Sequence, residues 1–545
     1  MVSKDPTQNP TPTPPRVGRV GRVGQVENEK LEKMFVKVHT GAIAGIDAVS
    51  VTAEVNVSSG GIGLFIVGLP DNTIKESHER IQAAFENSGY KLLAKKTVVN
   101  LAPADLRKEG SQYDLAIAVG ILIATEQLTT SMLEESMFIG ELSLNGRLRP
   151  IKGVLPLVAM ARAKGLKRVF MPEENISEGA VVEGIECVAI GSLTELCEIL
   201  AGRMPYTPAE NIIAQSEEGD EDIYREDFAD VKGQHLVKRA LEIAAAGGHN
   251  VIMVGAPGSG KTMLARRMPS ILPPMTLEEA LQTTKVHSVA GKIGAHKGLI
   301  TERPFRAPHH LTSQVALIGG GQSPQPGEVS LANNGVLFLD EMPEFGRNVL
   351  EVLRQPLEDK HITISRARYS VDYPANFTLI ASMNPCPCGY YNHPTKECSC
   401  SAATVHRYMS HISGPLMDRI DIHIEVVPVS IADMSSEERG ETSREIRERV
   451  VRARNIQLRR FEGLDIHCNA MMNSSMLRHF APLSKECSAL LEVAMARLNL
   501  SARAYDRIIK VARTIADLDG KESIETSHIS EAIGFRSLDR ESWGR

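Results

Sequence analysis

Aromatic residues are scarce. Phe, Tyr and Trp together make up 4% of the 545 residues, with a single Trp. No apolar run approaches the ~18 residues of a membrane-spanning helix, which excludes a helical membrane protein. The first 33 residues carry prolines and the triplet echo RVGRVGRVG, but no apolar centre like that of a secretion signal. The expected compartment is therefore the cytoplasm. There, close pairs among the eight cysteines are metal ligands more often than disulfides. Basic charge is not in excess either. With a net charge of −6, nucleic-acid binding has to come from a local basic surface. What remains is ordinary for soluble globular chains, 42% hydrophobic and 23% charged. The length predicts about three or four domains.

Residues 1–33 read as a disordered leader in which Arg16, Arg19 and Arg22 either touch nucleic acid or are simply solvated. Met34 opens a strand-like sequence. From 34 to 205, strand patterns (VSVTAEVNV, GLFIVGL, KTVVNLA, MFIGELSL, KRVFMP) mix with helical ones (IKESHERIQAAFENSG, YDLAIAVGILIATEQL), which predicts an α+β domain. Residues 206–227 are acidic, proline-marked and aperiodic, and read as a linker. Strand and helix alternate from 228 to 430, the pattern of a parallel α/β sheet covered by helices. Residues 431–545 show helical patterns alone.

The segment NVIMVGAPGSGKT is a buried strand, a glycine-rich turn and a helix start. Its G-x-x-x-x-G-K-[ST] spacing is met by Gly255, Gly260, Lys261 and Thr262. Chance produces this pattern in such a chain roughly one time in fifty, and the flanking strand and helix lower that further. Gly255, Ala256, Pro257, Gly258, Ser259 and Gly260 would close backbone N–H groups around phosphate oxygens. Lys261 would reach the β- and γ-phosphates of ATP, and Thr262 would ligate Mg²⁺. The strand GVLFLDE ends in two acids. Asp340 suits the Mg²⁺ shell, and Glu341 the base that orients the attacking water. The strand NFTLIASMN ends at Asn384, placed either to position that water or to cap the strand. Arg419, in GPLMDRIDIHIEV, suits a residue that grips a neighbouring subunit's γ-phosphate, with Arg407 as its rival. Arg503, at a helix start in LSARAYDRI, is expected to fold over the bound nucleotide.

Two further stretches stand out. PCPCGYYNHPTKECSC holds Cys386, Cys388, Cys398 and Cys400 as two Cys-x-Cys pairs nine residues apart. Four thiolates suit tetrahedral Zn²⁺ in a closed, structural site. His393 or His406 is available to replace one ligand, and two strained disulfides are the alternative. Such a clip is expected to fix a loop beside a subunit interface. LEDKHITISRARYSVDYPANF alternates like a β-hairpin, with Ser365, Arg366, Arg368 and Tyr369 near the tip. Lys285, Lys292, His296 and Lys297 form a second basic insert. These groups either contact DNA phosphates or lie on a solvated charged face.

In order, these motifs resemble the AAA+ ATPase module: Walker A and B, sensor 1, arginine finger and sensor 2. RPFRAPHH, IGGG, PGEVSLANNGVLFLDEMPEF and LRQPLED resemble its magnesium-chelatase-like branch. With KVHTGAIAGIDAVSVTAEVNV and NLAPADLRKEGSQYDLAIAVG ahead of them, the match is to the YifB/ComM family, from Met34 onward. Asn333 departs from it, the family more often having His there. The resemblance implies a hexameric ring ATPase that moves DNA junctions in natural transformation, with basic hairpins pointing into the pore. A chelatase motor subunit is the runner-up. MFIGELSLNGRLRPIKGVLPLVAMARAKGLKRVFMPEEN also resembles the Lon protease domain. Ser111 lacks the Lon serine's setting, and Leu155 and Leu157 occupy the candidate lysine positions. The implied domain is Lon-like without peptidase activity, Lys152 being the displaced alternative base. An ATP-dependent protease is thus the third reading.

Overall fold

The structure, a computed structural model, describes residues 35–538 except 212–225, 295–297, 322–323, 367–368, 394, 430–439, 499 and 537. The leader, most of the acidic linker, His296, Lys297 and Arg368 lie outside the described residues.

The first part is built on β1 (Phe35–Ala44), β2 (Asp47–Ser58), β3 (Gly63–Val67), β4 (Lys96–Ala102), β5 (Ser136–Phe138), β6 (Arg168–Pro172) and β7 (Glu186–Ile190). They form one mixed seven-stranded sheet in the order β3-β4-β2-β1-β5-β6-β7. Alternation along β1 and β2 sends Val36, Val38, Val51, Ala53, Val55 and Val57 to one face. Helix α1 (Ser77–Asn87) and helix α2 (Asp114–Ala124) share a core with that face. DLAIAVGILIA is apolar all round, and α2 is accordingly almost wholly buried. The one charge at its start, Asp114, is held by Arg80 Nε at 2.6 Å and Nη2 at 2.9 Å. Helix α3 (Val154–Ala163) packs on the opposite face, where a Cβ on Gly41 would lie 2.5 Å from Leu157 Cδ2.

The second part contains helix α4 (His235–Gly247), β8 (Val251–Val254), helix α5 (Lys261–Ile271), helix α6 (Leu277–Val289), β9 (Phe305–Arg306) and β10 (Val336–Leu339). The hairpin strands β11 (His361–Arg366) and β12 (Tyr369–Pro374), then β13 (Thr378–Met383) and β14 (Ile422–Glu425), complete it. Five strands make an all-parallel sheet, β9-β10-β13-β8-β14. The segments VIMV and VLFL are apolar at every position because helices cover both faces. The expected hairpin is present, with Ile362, Ile364 and Tyr373 turned into the core.

Helices α7 (Ser443–Arg460) and α8 (Ala502–Leu518), with shorter ones between and after them, follow. Val450, Ala453, Ile508 and Ile515 share one apolar core with Val251 and Ile422 of the sheet. Asp227 Oδ1 accepts from Ala229 N at 2.6 Å and Ser443 N at 3.1 Å, tying the entry of the sheet part to the first turn of α7. The first two parts meet at α6. Ser288 O accepts from Gly153 N at 3.1 Å, Ser288 Oγ donates to the buried Glu178, and Lys285 pairs with Asp47 at 2.8 Å. Among the described residues no helix is long and apolar enough to cross a membrane.

Candidate nucleotide site and thiol cluster

Parallel strands place their C-terminal ends together, and the turn 255–260 leaves that edge from β8. Gly258 and Gly260 have φ of +79° and +91°, a region that a β-carbon disfavours. A Cβ on Gly255 would lie 2.3 Å from Val426 O, so the chain there passes too close for any side chain. The cradle faces the start of α5, whose first residue is Lys261. Lys261 Nζ donates to Gly255 O at 2.7 Å, Ala256 O at 3.0 Å and Asn384 Oδ1 at 3.2 Å. Burial lowers its pKa, opposed by the charges of Asp340 and Glu341. Ser259 Oγ is buried with no hydrogen-bond partner among the described residues. The cradle thus has the glycines and the cation that a polyphosphate requires, at the start of a helix.

Thr262 Oγ1 donates to Asp340 Oδ2 at 2.8 Å, which joins the two oxygens expected around Mg²⁺. Ser382, a residue the sequence did not mark, donates through Oγ to Asp340 Oδ1. It also accepts from Glu341 N at 3.3 Å, while Asp340 Oδ1 accepts that N–H at 3.1 Å. Register alone could have revealed it, since β13 lies between β10 and β8. Glu341 is exposed at the strand end and sits in the left-handed region, φ 51°, a backbone strain that collects at functional sites.

Arg419 and Arg503 are elsewhere. Arg419 precedes β14, where Asn250 Nδ2 donates to Arg419 O at 3.2 Å, level with the N-terminal end of β8. The four residues of β8 separate it from the phosphate turn by about 13 Å of strand. Arg419 is buried. Nη1 donates to Pro415 O at 2.5 Å, Nη2 lies 2.5 Å from Glu358 Oε1, and Nε has no partner among the described residues. Arg503 pairs with Asp418 at 3.4 Å on the same side, so within one chain it does not fold over the phosphate turn. The expectation that it would is not met, because α8 packs along the strand starts, where Arg507 also pairs with Asp421. Arg407 is exposed on the helix Ala402–Met409.

The four thiols converge. Sγ–Sγ distances are 3.3 Å (Cys386–Cys388), 3.7 Å (Cys386–Cys398) and 3.5 Å (Cys388–Cys398), with all four sulfurs within 4.8 Å of one another. A Zn–S bond of about 2.3 Å gives a tetrahedral edge of about 3.8 Å, whereas a disulfide requires about 2.05 Å. The set fits tetrahedral zinc, and all eight cysteines are free. Tyr391 N donates to Cys386 Sγ at 3.3 Å, the type of contact that orients a metal-bound sulfur. Neither histidine belongs to the group. His393 Nδ1 accepts from Thr395 N and Lys396 N, and His406 is exposed. The thiol loop also touches the phosphate turn, since a Cβ on Gly389 would lie 2.5 Å from Pro257 Cδ.

Of the basic residues, Lys285 is engaged with Asp47 and Lys292 with Glu328 at 3.5 Å. Arg366 ends β11 at the hairpin turn. Asn333 is fully buried, with its amide donating to Gln282 at 2.9 Å and accepting from Asn376 N at 2.8 Å, away from the acids. Ser111 Oγ donates to Glu141, and Leu155 and Leu157 are buried apolar residues of α3. Lys152 lays its stem against Gly291 of the sheet part.

A phosphate turn, a strand-end acid pair and a parallel sheet fit a nucleotide-binding ATPase domain, and the comparisons place it in the magnesium-chelatase class. Three family models agree: "Magnesium chelatase, subunit ChlI" over residues 227–434, "Subunit ChlI of Mg-chelatase" over 53–175, and "Magnesium chelatase, subunit ChlI C-terminal" over 440–536. Within that class the chain belongs to the YifB/ComM family. It is 43% identical to competence protein ComM of Haemophilus influenzae over 505 residues, 92% of this chain and 97% of that protein. Against YifB of Escherichia coli it is 42% identical over 507 residues, with the same coverage. The magnesium-chelatase 67 kDa subunit of Heliobacterium mobile is 25% identical over 256 residues, 40% of this chain and 37% of that subunit.

Proposed function

We propose that this chain is a ring-forming motor of the cytoplasm that uses ATP hydrolysis to move branched or single-stranded DNA in recombination and natural transformation. The observation that carries it is the split of one hydrolytic constellation between the two ends of the sheet. The phosphate turn, Asp340, Glu341 and Asn384 lie at the strand ends, while Arg419 and Arg503 lie at the strand starts. Such a site is complete only when a neighbouring copy presents its arginines, and a closed ring, a hexamer on this reading, completes all of them. DNA as the object is supported by the competence name of the relative and by Arg366 at the hairpin turn.

Each residue then has a task. Backbone N–H groups of 255–260 hold the phosphates, and Lys261 exchanges the turn's carbonyls for phosphate oxygens. Thr262 and Asp340 would hold Mg²⁺, which would supply positive charge against the phosphates. Glu341 accepts the proton of the attacking water, and Asn384 orients that water. The neighbour's Arg419 stabilises charge in the transition state. Cys386, Cys388, Cys398 and Cys400 would hold a structural Zn²⁺, which would fix the fold of their loop. The first part is read as a Lon-like domain and the last as a helical lid. The hydroxyl of Ser111 donates to the Glu141 carboxylate, and among the described residues no lysine is hydrogen-bonded to it, which does not favour a peptidase.

The test is ATP-driven dissociation of synthetic forked and four-way DNA junctions, with porphyrin metallation as the control. Dissociation that requires Glu341 supports the DNA motor. Metallation without dissociation would replace it with the chelatase reading.

A further inference from the structure

The open face of the first sheet has no role in hydrolysis. Cross-strand partners point to the same side. The register Phe35↔Asn56, Asn56↔Val98, Val98↔Phe65 therefore lines these residues across β1, β2, β4 and β3. Phe35 and Phe65 are 44% and 50% exposed, in a chain with few aromatics to spare. Three strand spacings separate them, about 14 Å. Helix α3 covers the same face only farther along, at Gly41 and Ile43. On each ring rests a lysine: Lys37 Nζ lies 5.7 Å from the Phe35 centroid, and Lys96 Nζ 5.8 Å from that of Phe65.

We propose that this face binds single-stranded nucleic acid, with bases stacked on Phe35 and Phe65 and phosphates held by Lys37 and Lys96. This rests on the DNA-motor reading and adds a contact outside the ring's pore. Exposed aromatics on an open sheet are the arrangement that stacks unpaired bases, because every base has a π-face. Asn56, exposed between the rings, offers a base edge both a donor and an acceptor. A duplex does not fit, since its bases are already stacked on each other. A protein partner fits poorly, since lysine is depleted at protein interfaces, whereas here a lysine flanks each ring. A phosphate would draw the Lys96 ammonium off its ring, and that of Lys37 off both its ring and Glu54 Oε1, 3.9 Å away, leaving the π-faces to bases.

The experiment uses the full chain and a fluorescent oligo-dT, measured by anisotropy without nucleotide, beside a blunt duplex of equal length. Each stacking ring contributes about tenfold in affinity, so F35A/F65A should lose on the order of a hundredfold for oligo-dT and little for duplex. K37A/K96A should flatten the slope of log K against log salt by about 1.4. DNA-independent ATP hydrolysis and assembly mass by light scattering should be unchanged in both. In a separate variant, F65W should be quenched on adding oligo-dT, which reads stacking without removing the ring. Unchanged oligo-dT affinity in F35A/F65A, or an unquenched F65W with DNA bound, overturns the proposal. So does loss of assembly mass in F35A/F65A, which would make the face a contact between copies. If the unaltered chain binds no DNA at all, it is the motor reading that fails.

Discussion

Arg419 Nη2 lies 2.5 Å from Glu358 Oε1, and this pair sits at the strand starts, away from its own phosphate turn. The guanidinium is buried, with Nε lacking a partner among the described residues, and a buried donor in that state calls for an acceptor that these residues do not supply. A neighbour's γ-phosphate would be that acceptor. R419A is expected to reduce DNA-stimulated ATP turnover by about 10³. Mixing K261A with R419A chains creates some interfaces with both an intact turn and an intact arginine, so activity should partly return. Normal turnover by R419A alone in the presence of DNA would exclude catalysis across subunits. Glu358→Gln, which weakens the resting pair, should leave the maximal rate intact and lower the protein concentration at which turnover appears.

Lys261 touches both the phosphate turn and Asn384, whereas Glu341 stands exposed at the end of its strand. The two should therefore separate binding from chemistry. Lys261→Ala should weaken ATP affinity at least tenfold, read by a fluorescent analogue. Glu341→Gln should bind ATP as before and lower turnover by at least 10². Ser382→Ala removes a hydrogen bond to Asp340 without altering the turn. It is expected to raise the Mg²⁺ concentration needed for half-maximal turnover, with ATP affinity in excess Mg²⁺ unaffected. Near-normal hydrolysis in Glu341→Gln would remove it as the base.

The thiol cluster predicts about one zinc per chain by elemental analysis, lost in Cys386→Ser/Cys388→Ser. Zinc in a closed four-sulfur site contributes to folding directly, so that variant should melt at lower temperature. A clip beside a subunit interface is expected to affect assembly or thermal stability before nucleotide binding. The close approach of Gly389 to Pro257 argues for an effect on nucleotide binding as well. Removing the metal frees the loop that backs the phosphate turn, so ATP affinity should fall in monomer and ring alike. A metal-free protein of unchanged stability would end the zinc reading.

The sequence made the phosphate turn and the acid pair legible because backbone close approach permits few residues there. Gly255 has no room for a side chain, and Gly258 and Gly260 hold positive φ. The hairpin was legible from strict alternation, with Ile362 and Ile364 inward. β7 was not, because ECVAI is a short apolar run whose period favours no single class. Ser382 reads as strand filler until register sets it beside Asp340. The destination of Arg503 depends on which end of the sheet α8 packs against, and helical periodicity carries no such information. Residue spacing likewise said nothing of Phe35 and Phe65, which lie on one line only after three strand pairings are fixed.

A final prediction concerns acid. Burial drives the pKa of His467 down to about 4, with Arg454 adding to the effect and Glu279 opposing it. Despite its own burial, Glu279 is held below the ordinary carboxylate range by Arg303, 3.0 Å away, and stays ionised at neutral pH. Burial likewise lowers the pKa of His249 and His423. In the unfolded chain a histidine takes up its proton near pH 6.5. Between that pH and about 4 the unfolded state therefore binds more protons than the folded one at His467, and stability falls as pH falls. Above pH 6.5 this contribution is fully retained. Going from pH 7.5 to 5, His467 alone accounts for about 2 kcal/mol of lost stability. His467→Gln removes the titrating group from the junction of sheet and helices, so its urea midpoint should shift less over that interval. An equal shift in the variant and the unaltered chain would assign the acid sensitivity to other groups.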